Sequence, residues 1–82
     1  MKTFELEVMS LKGSPFTGEC VSLKYPGPDG LYGVMAGCYP RMGAVTKGKL
    51  DITLPDNSKK IIDITSGIIH VYRDKVRIMI QR

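Results

Sequence analysis

Apolar and polar residues alternate one by one along most of the chain. Glu5 and Glu7 separate Phe4, Leu6 and Val8, and Ser22 and Lys24 separate Val21, Leu23 and Tyr25. Asp51 and Thr53 separate Leu50, Ile52 and Leu54, Asp63 separates Ile62 and Ile64, and Arg77 and Met79 separate Val76, Ile78 and Ile80. In an extended chain, a period of two sends alternate side chains to opposite faces. Each run therefore predicts a strand with one face toward a core. No window repeats with the 3.6-residue period of a helix. The phases predict one shared interior of Phe4, Leu6, Val8, Val21, Leu23, Leu50, Ile52, Ile64, Val71, Val76 and Ile78.

Turn-forming residues fall between the runs. Lys12-Gly13-Ser14-Pro15 ends the first, and Pro26-Gly27-Pro28-Asp29-Gly30 reads as a rigid loop with two fixed φ angles. Pro55-Asp56-Asn57-Ser58 predicts a hairpin and Arg73-Asp74 a tight link between the last two strands. Short strands spaced by roughly 8–12 residues predict an all-β sandwich of two packed antiparallel sheets. From Gly27 to Gly48 the texture changes: Gly30, Gly33, Gly37 and Gly43 stand among Met35, Pro40 and Met42. Such a stretch suits a tight bend or the close approach of another chain.

With 82 residues there is room for one core, so residues 1–82 are expected to form a single domain. An apolar fraction of 43% with 24% charged residues is that of a globular protein and excludes a disordered tail, a collagen or a coiled coil. No apolar run nears the ~18 residues of a membrane helix. Acids at Glu5 and Glu7 come too early for a secretory signal, which makes the cytoplasm the expected compartment. The net charge of +4 contains no basic run longer than Lys59-Lys60, which reads as a solvated surface.

Candidates for chemistry are few. Two cysteines, Cys20 and Cys38, are expected to be reduced thiols, and together with His70 they fall short of a four-ligand zinc site. No Cys-x-x-Cys occurs, and Gly30-Leu31-Tyr32-Gly33 lacks the Lys-Ser/Thr ending of a phosphate loop. A Cys38–His70 pair is the minimum for thiol catalysis, and Asp51 and Asp63 are close enough in a hairpin to suggest a carboxylate pair. The simpler readings are a strand histidine and two surface acids. Binding of single-stranded nucleic acid needs aromatics on a basic face, and Tyr32 and Tyr39 have only Arg41 nearby. What remains is a non-enzyme: a β-sandwich adaptor offering a sheet face and loops to a protein, with nucleic acid as the alternative partner.

The segment Gly30-Leu31-Tyr32-Gly33-Val34-Met35-Ala36-Gly37-Cys38-Tyr39-Pro40 resembles the loop-strand signature of the epsilon subunits of bacterial F-type ATP synthases. Four flanking pieces agree in order. Phe4-Glu5-Leu6-Glu7-Val8 is similar to that family's first strand, and Phe16-Thr17-Gly18-Glu19 to its Phe-x-Gly-Glu turn. Gly48-Lys49-Leu50-Asp51-Ile52 is similar to a later strand, and Ser66-Gly67-Ile68-Ile69-His70-Val71 to the Ser-Gly-Gly segment before the last one. There are departures. Leu31 stands where an acid is common, with Asp29 as a possible substitute. Cys38 stands in place of a histidine, and Ile68 follows Gly67 where a second glycine would allow a close backbone approach.

The resemblance implies a sandwich of two antiparallel five-stranded sheets, about ten short strands in all. It further implies a non-catalytic, cofactor-free and metal-free rotor part of the central stalk, monomeric in isolation and binding no nucleic acid. Such a part would couple rotation of the membrane c-ring to the catalytic head, so that proton transport drives ATP synthesis. It would be peripheral, on the cytoplasmic face of the plasma membrane. Met9, Ser10, Met42, Ala44 and Met79 are expected to face the gamma subunit, and Asp29, Leu31, Cys38 and Tyr39 the c-ring. Met9 and Met79 are out of phase with their core neighbours, and adaptable thioethers suit a partner surface. Most members of that family continue as a helical hairpin. This sequence ends at Gln81-Arg82, so neither an inhibitory nor an ATP-binding role is expected.

Overall fold

Every alternating run forms a strand. The computed structural model describes residues 2–37 and 39–81. Among these are nine strands: β1 (Phe4–Ser10), β2 (Gly13–Cys20), β3 (Ser22–Gly27), β4 (Gly30–Met35), β5 (Arg41–Val45), β6 (Gly48–Thr53), β7 (Lys59–Ile64), β8 (Ser66–Val71) and β9 (Lys75–Gln81). They form a five-stranded sheet in the order β2-β1-β9-β8-β5 and a four-stranded sheet in the order β4-β3-β6-β7. The two sheets pack face to face as a sandwich.

Two details differ from expectation. The second sheet has four strands rather than five. The five-stranded sheet is not wholly antiparallel, because β1 and β9 run parallel, with Leu6 beside Val76 and Val8 beside Ile78. Hairpins join β1 to β2 and β8 to β9, and the parallel pair between them closes the sheet. The Glu5 amide extends this seam by donating to the Asp74 carbonyl at 3.2 Å.

The chain changes sheet abruptly at two corners. Val21 alone separates β2 from β3, and Thr65 alone separates β7 from β8. Each corner amide is held across the bend: Val21 N–H donates to Thr53 O at 2.8 Å, and Thr65 N–H to Gln81 O at 2.8 Å. At its corner Val21 is half-buried and leaves the expected core, while Cys20, one residue earlier, is fully enclosed. The other ten predicted core residues are buried, in one cluster with Tyr25, Val34, Val45, Ile62, Ile69 and Ile80. Burying a side chain of the size of Leu or Ile contributes about 1.5–3 kcal/mol.

The expected turn at Phe16–Glu19 lies inside β2, whose Pro15 and Gly18 interrupt its alternation and suit its place at a sheet edge. Pro26 and Gly27 likewise belong to β3, leaving Pro28-Asp29 as the turn. Gly27 is there for space: a Cβ would run into the Tyr32 ring. The Pro55–Ser58 turn forms as predicted, with Asn57 at φ 70, a left-handed conformation that Asn tolerates.

Candidate interaction surface

The pairing register assembles the outer face of the five-stranded sheet row by row. Met9 lies beside Met79, Met79 beside Ile68, and Ile68 beside Ala44, giving one apolar row across four strands. Met79 is 61% exposed and Ile68 56% exposed, with no charged group in the row. The next row runs Glu7–Arg77–His70–Met42. Arg77 Nε donates to Glu7 Oε1 at 3.0 Å, and this bond holds the guanidinium charged, raising its pKa. His70 stacks on Tyr72 with ring centroids 4.0 Å apart, and Met42 is 66% exposed. A third row, Glu19–Glu5–Lys75, is charged. Acids therefore gather toward β2, and apolar side chains toward β8 and β5.

Four of the five residues expected at a partner surface thus lie on this face: Met9, Met42, Ala44 and Met79. Ser10 does not join them. It ends β1, donates from Oγ to the Gly13 carbonyl at 3.0 Å, and lines a cleft of about 710 Å³ with Lys12, Pro15, Thr65 and Ile80. Ile68 was not expected. The signal was an apolar pair, Ile68-Ile69, in which only one residue can point inward. The close backbone approach is made instead by Gly67, where a Cβ would lie 2.5 Å from the Met79 carbonyl oxygen, so Ile68 obstructs nothing.

The other candidates lie at opposite ends of edge strand β4, Asp29 and Leu31 at the β3–β4 turn and Tyr39 beyond the far end of the strand, so the structure does not bring them together. Leu31 is 76% and Tyr39 89% exposed. Asp29, in the β3–β4 turn, is engaged internally, accepting from the Tyr32 hydroxyl at 3.3 Å. Partial burial, then the Asp29 carboxylate, push the Tyr32 phenol upward in pKa. Tyr32 packs on Tyr25 at 5.4 Å, and Arg41 Nη2 donates to the Tyr25 hydroxyl at 3.2 Å, which ties β5 to β3 across the sandwich. Cys38 lies outside the described residues.

Nothing described forms a catalytic constellation. Asp51 and Asp63 each face a lysine rather than one another: Lys59 Nζ–Asp51 Oδ2 is 3.8 Å and Lys49 Nζ–Asp63 Oδ1 is 3.4 Å. Among the described residues, no three His, Cys, Asp or Glu side chains gather where they could hold a metal ion, and no helix is long and apolar enough to cross a membrane.

Residues 3–82 match the family described as ATP synthase, Delta/Epsilon chain, beta-sandwich domain. The chain belongs to this family. It is similar to the ATP synthase epsilon chain of Chlorobium limicola, with 34% identity over 74 residues, covering 90% of this chain and 84% of that one. It is also similar to the epsilon chain of a Nitratiruptor species, with 28% identity over 81 residues, covering 99% of this chain and 63% of that one.

Two solved structures share the delta/epsilon fold. One is a chain in the cryo-EM structure of the Euglena gracilis mitochondrial ATP synthase (OSCP/F1/c-ring, rotational state 1), with a TM-score of 0.91 and 18% identity. The other is a chain in the central stalk/c-ring structure of the Tetrahymena thermophila enzyme, with a TM-score of 0.81 and 10% identity. This chain is covered to 98% and 99%, and spans 51% and 65% of those chains.

Proposed function

We propose that this chain is a non-catalytic rotor part of a proton-transporting F-type ATP synthase, the epsilon-type sandwich of the central stalk. The family match over residues 3–82 carries the reading. In it, the outer face of the five-stranded sheet packs on the gamma subunit through Met9, Met42, Ala44, Ile68 and Met79, with Ser10 at the margin. Asp29, Leu31 and Tyr39 face the c-ring, and Cys38 is assigned there by sequence alone. Three properties support the face: its apolar row is continuous over four strands, it is open to solvent, and acids border it on one side only. The chain would work at the cytoplasmic face of the plasma membrane, held there by the complex, and without a cofactor.

The test is capture of purified gamma subunit by the immobilised chain, followed by addition of detergent-solubilised c-ring. Binding of gamma alone and retention of the c-ring by the pair are expected. Failure to bind gamma in low and moderate salt alike would overturn the assignment.

A further inference from the structure

The single histidine of the chain lies in the proposed docking face. His70 is half-buried on β8 in the outer face, with its ring against Tyr72 at 4.0 Å and an interplanar angle of 27°. Its neighbours from each adjoining strand are set by register. Arg77 of β9 lies directly beside it on one side and Met42 of β5 on the other. Ile68 of β8 and Tyr72, one residue past its end, flank it along the chain. Beyond Arg77, Glu7 of β1 is already engaged by the guanidinium at 3.0 Å. Lys75 and Glu5 stand opposite each other in the next row. Among the described residues, the two cross-strand positions beside the imidazole hold a cation and a thioether, and no carboxylate.

We propose that His70 makes docking on this face pH-dependent, so that the gamma subunit binds more tightly above neutral pH and is released more readily in acid. The inference rests on the gamma-docking reading. An imidazole changes charge between pH 5 and 8. On the open sheet, water solvates both of its forms. A partner covering Met42, Ile68 and Met79 removes that water. The neutral ring, already stacked on Tyr72, is then buried at little cost, whereas the imidazolium becomes a second cation beside Arg77 in a dry seam where Glu7 is already engaged. Docking therefore weakens proton binding, and by linkage proton binding weakens docking. Affinity is therefore full where imidazoles are neutral and falls, by up to tenfold per pH unit, as the solution drops through the pH 5–8 range in which they gain a proton.

The test is a calorimetric titration of the full chain with purified gamma subunit at about pH 8 and about pH 5.5, at constant ionic strength, for the unaltered chain and for His70→Gln. NMR of the His70 ring protons, free and bound, accompanies it, and a lone histidine makes their assignment direct. About a tenfold loss of affinity in acid is expected for the unaltered chain, under twofold for His70→Gln, and a lower ring titration midpoint in the complex. Equal losses in both chains, or an unmoved midpoint, would overturn the inference and leave the docking reading standing. Absence of gamma binding at about pH 8 in both chains would overturn the docking reading and this inference with it.

Discussion

Cys20 ends β2 at the bend into β3, fully enclosed, and burial pushes its thiol up to about 12. The thiolate is the reactive form, so this sulfur is inert near neutral pH. In a Cys38→Ser background, Ellman's reagent at about pH 8 should leave the native chain unlabelled and react fully after denaturation. The stability consequence has a definite sign. The folded thiol keeps its proton when the unfolded one, with an ordinary value of 9.0, has lost it. Its contribution is complete below 9.0 and declines as pH rises toward about 12, which a series of denaturant midpoints would record. Period-two phasing assigned this inward place to Val21. The sequence does not show a one-residue corner, and at such a corner the phase resets. Glycines differ as sharply. An added Cβ at Gly67 meets the Met79 carbonyl oxygen at 2.5 Å, while one at Gly33 meets nothing within 4 Å. Gly67→Ala should cost about 1–3 kcal/mol in chemical denaturation, and Gly33→Ala should be neutral or slightly stabilising.

At the level of strands, alternation exposed most of the architecture because a half-buried strand must present one apolar face and one wet one. β1, β3, β6, β7 and β9 are all legible in this way. β2 was not: an edge strand carrying Pro15 and Gly18 packs few side chains inward, so its sequence lacks the signal. Nor could the parallel β1–β9 pair be read, because periodicity reports which face is buried and says nothing of which strand lies alongside. That pair makes β9 central, between β1 and β8, and gives two adjacent residues opposite roles. Ile78 is fully buried, whereas Met79 is 61% exposed on the outer face. Ile78→Ala should cost about 2–5 kcal/mol through lost burial and the cavity left behind. Met79→Ala should stay within about 0.5 kcal/mol. Urea unfolding monitored by circular dichroism separates the two, and comparable losses would mean that the face of β9 is misassigned.

The two sheets give the whole molecule two unlike outer surfaces. On the four-stranded sheet Lys24 lies beside Asp51, Lys49 pairs with Asp63, and Lys59 pairs with Asp51, so charges of both signs cover β3, β6 and β7 around Ile61, while the exposed Leu31 and Met35 stand apart on edge strand β4. On the five-stranded sheet the apolar residues join into a row, and that continuity arises only when strands far apart in sequence are set in register. Met9, Met42 and Met79 were legible singly, as thioethers out of phase or in a glycine-rich stretch. The row that joins Met9 and Met79 to Ile68 and Ala44 was not, and neither was Met42's place in the row beside it, because cross-strand neighbours depend on pairing. The proposed gamma contact then predicts an asymmetry between the faces. A glutamate introduced at Met79 is solvated in the free chain, so folding changes by no more than about 0.5 kcal/mol. In the complex the same carboxylate is buried amid Met9, Ile68 and Ala44 without a cation in its row, and an unpaired buried charge costs several kcal/mol as an order of magnitude. Met79→Glu should therefore weaken gamma binding about tenfold or more, and Met42→Glu should act in the same direction but less strongly, because Arg77 lies in its row. Ile61→Glu, a comparable change on the opposite sheet, should leave affinity within about twofold. Binding lost in Ile61→Glu and kept in Met79→Glu would move the docking surface to the four-stranded sheet.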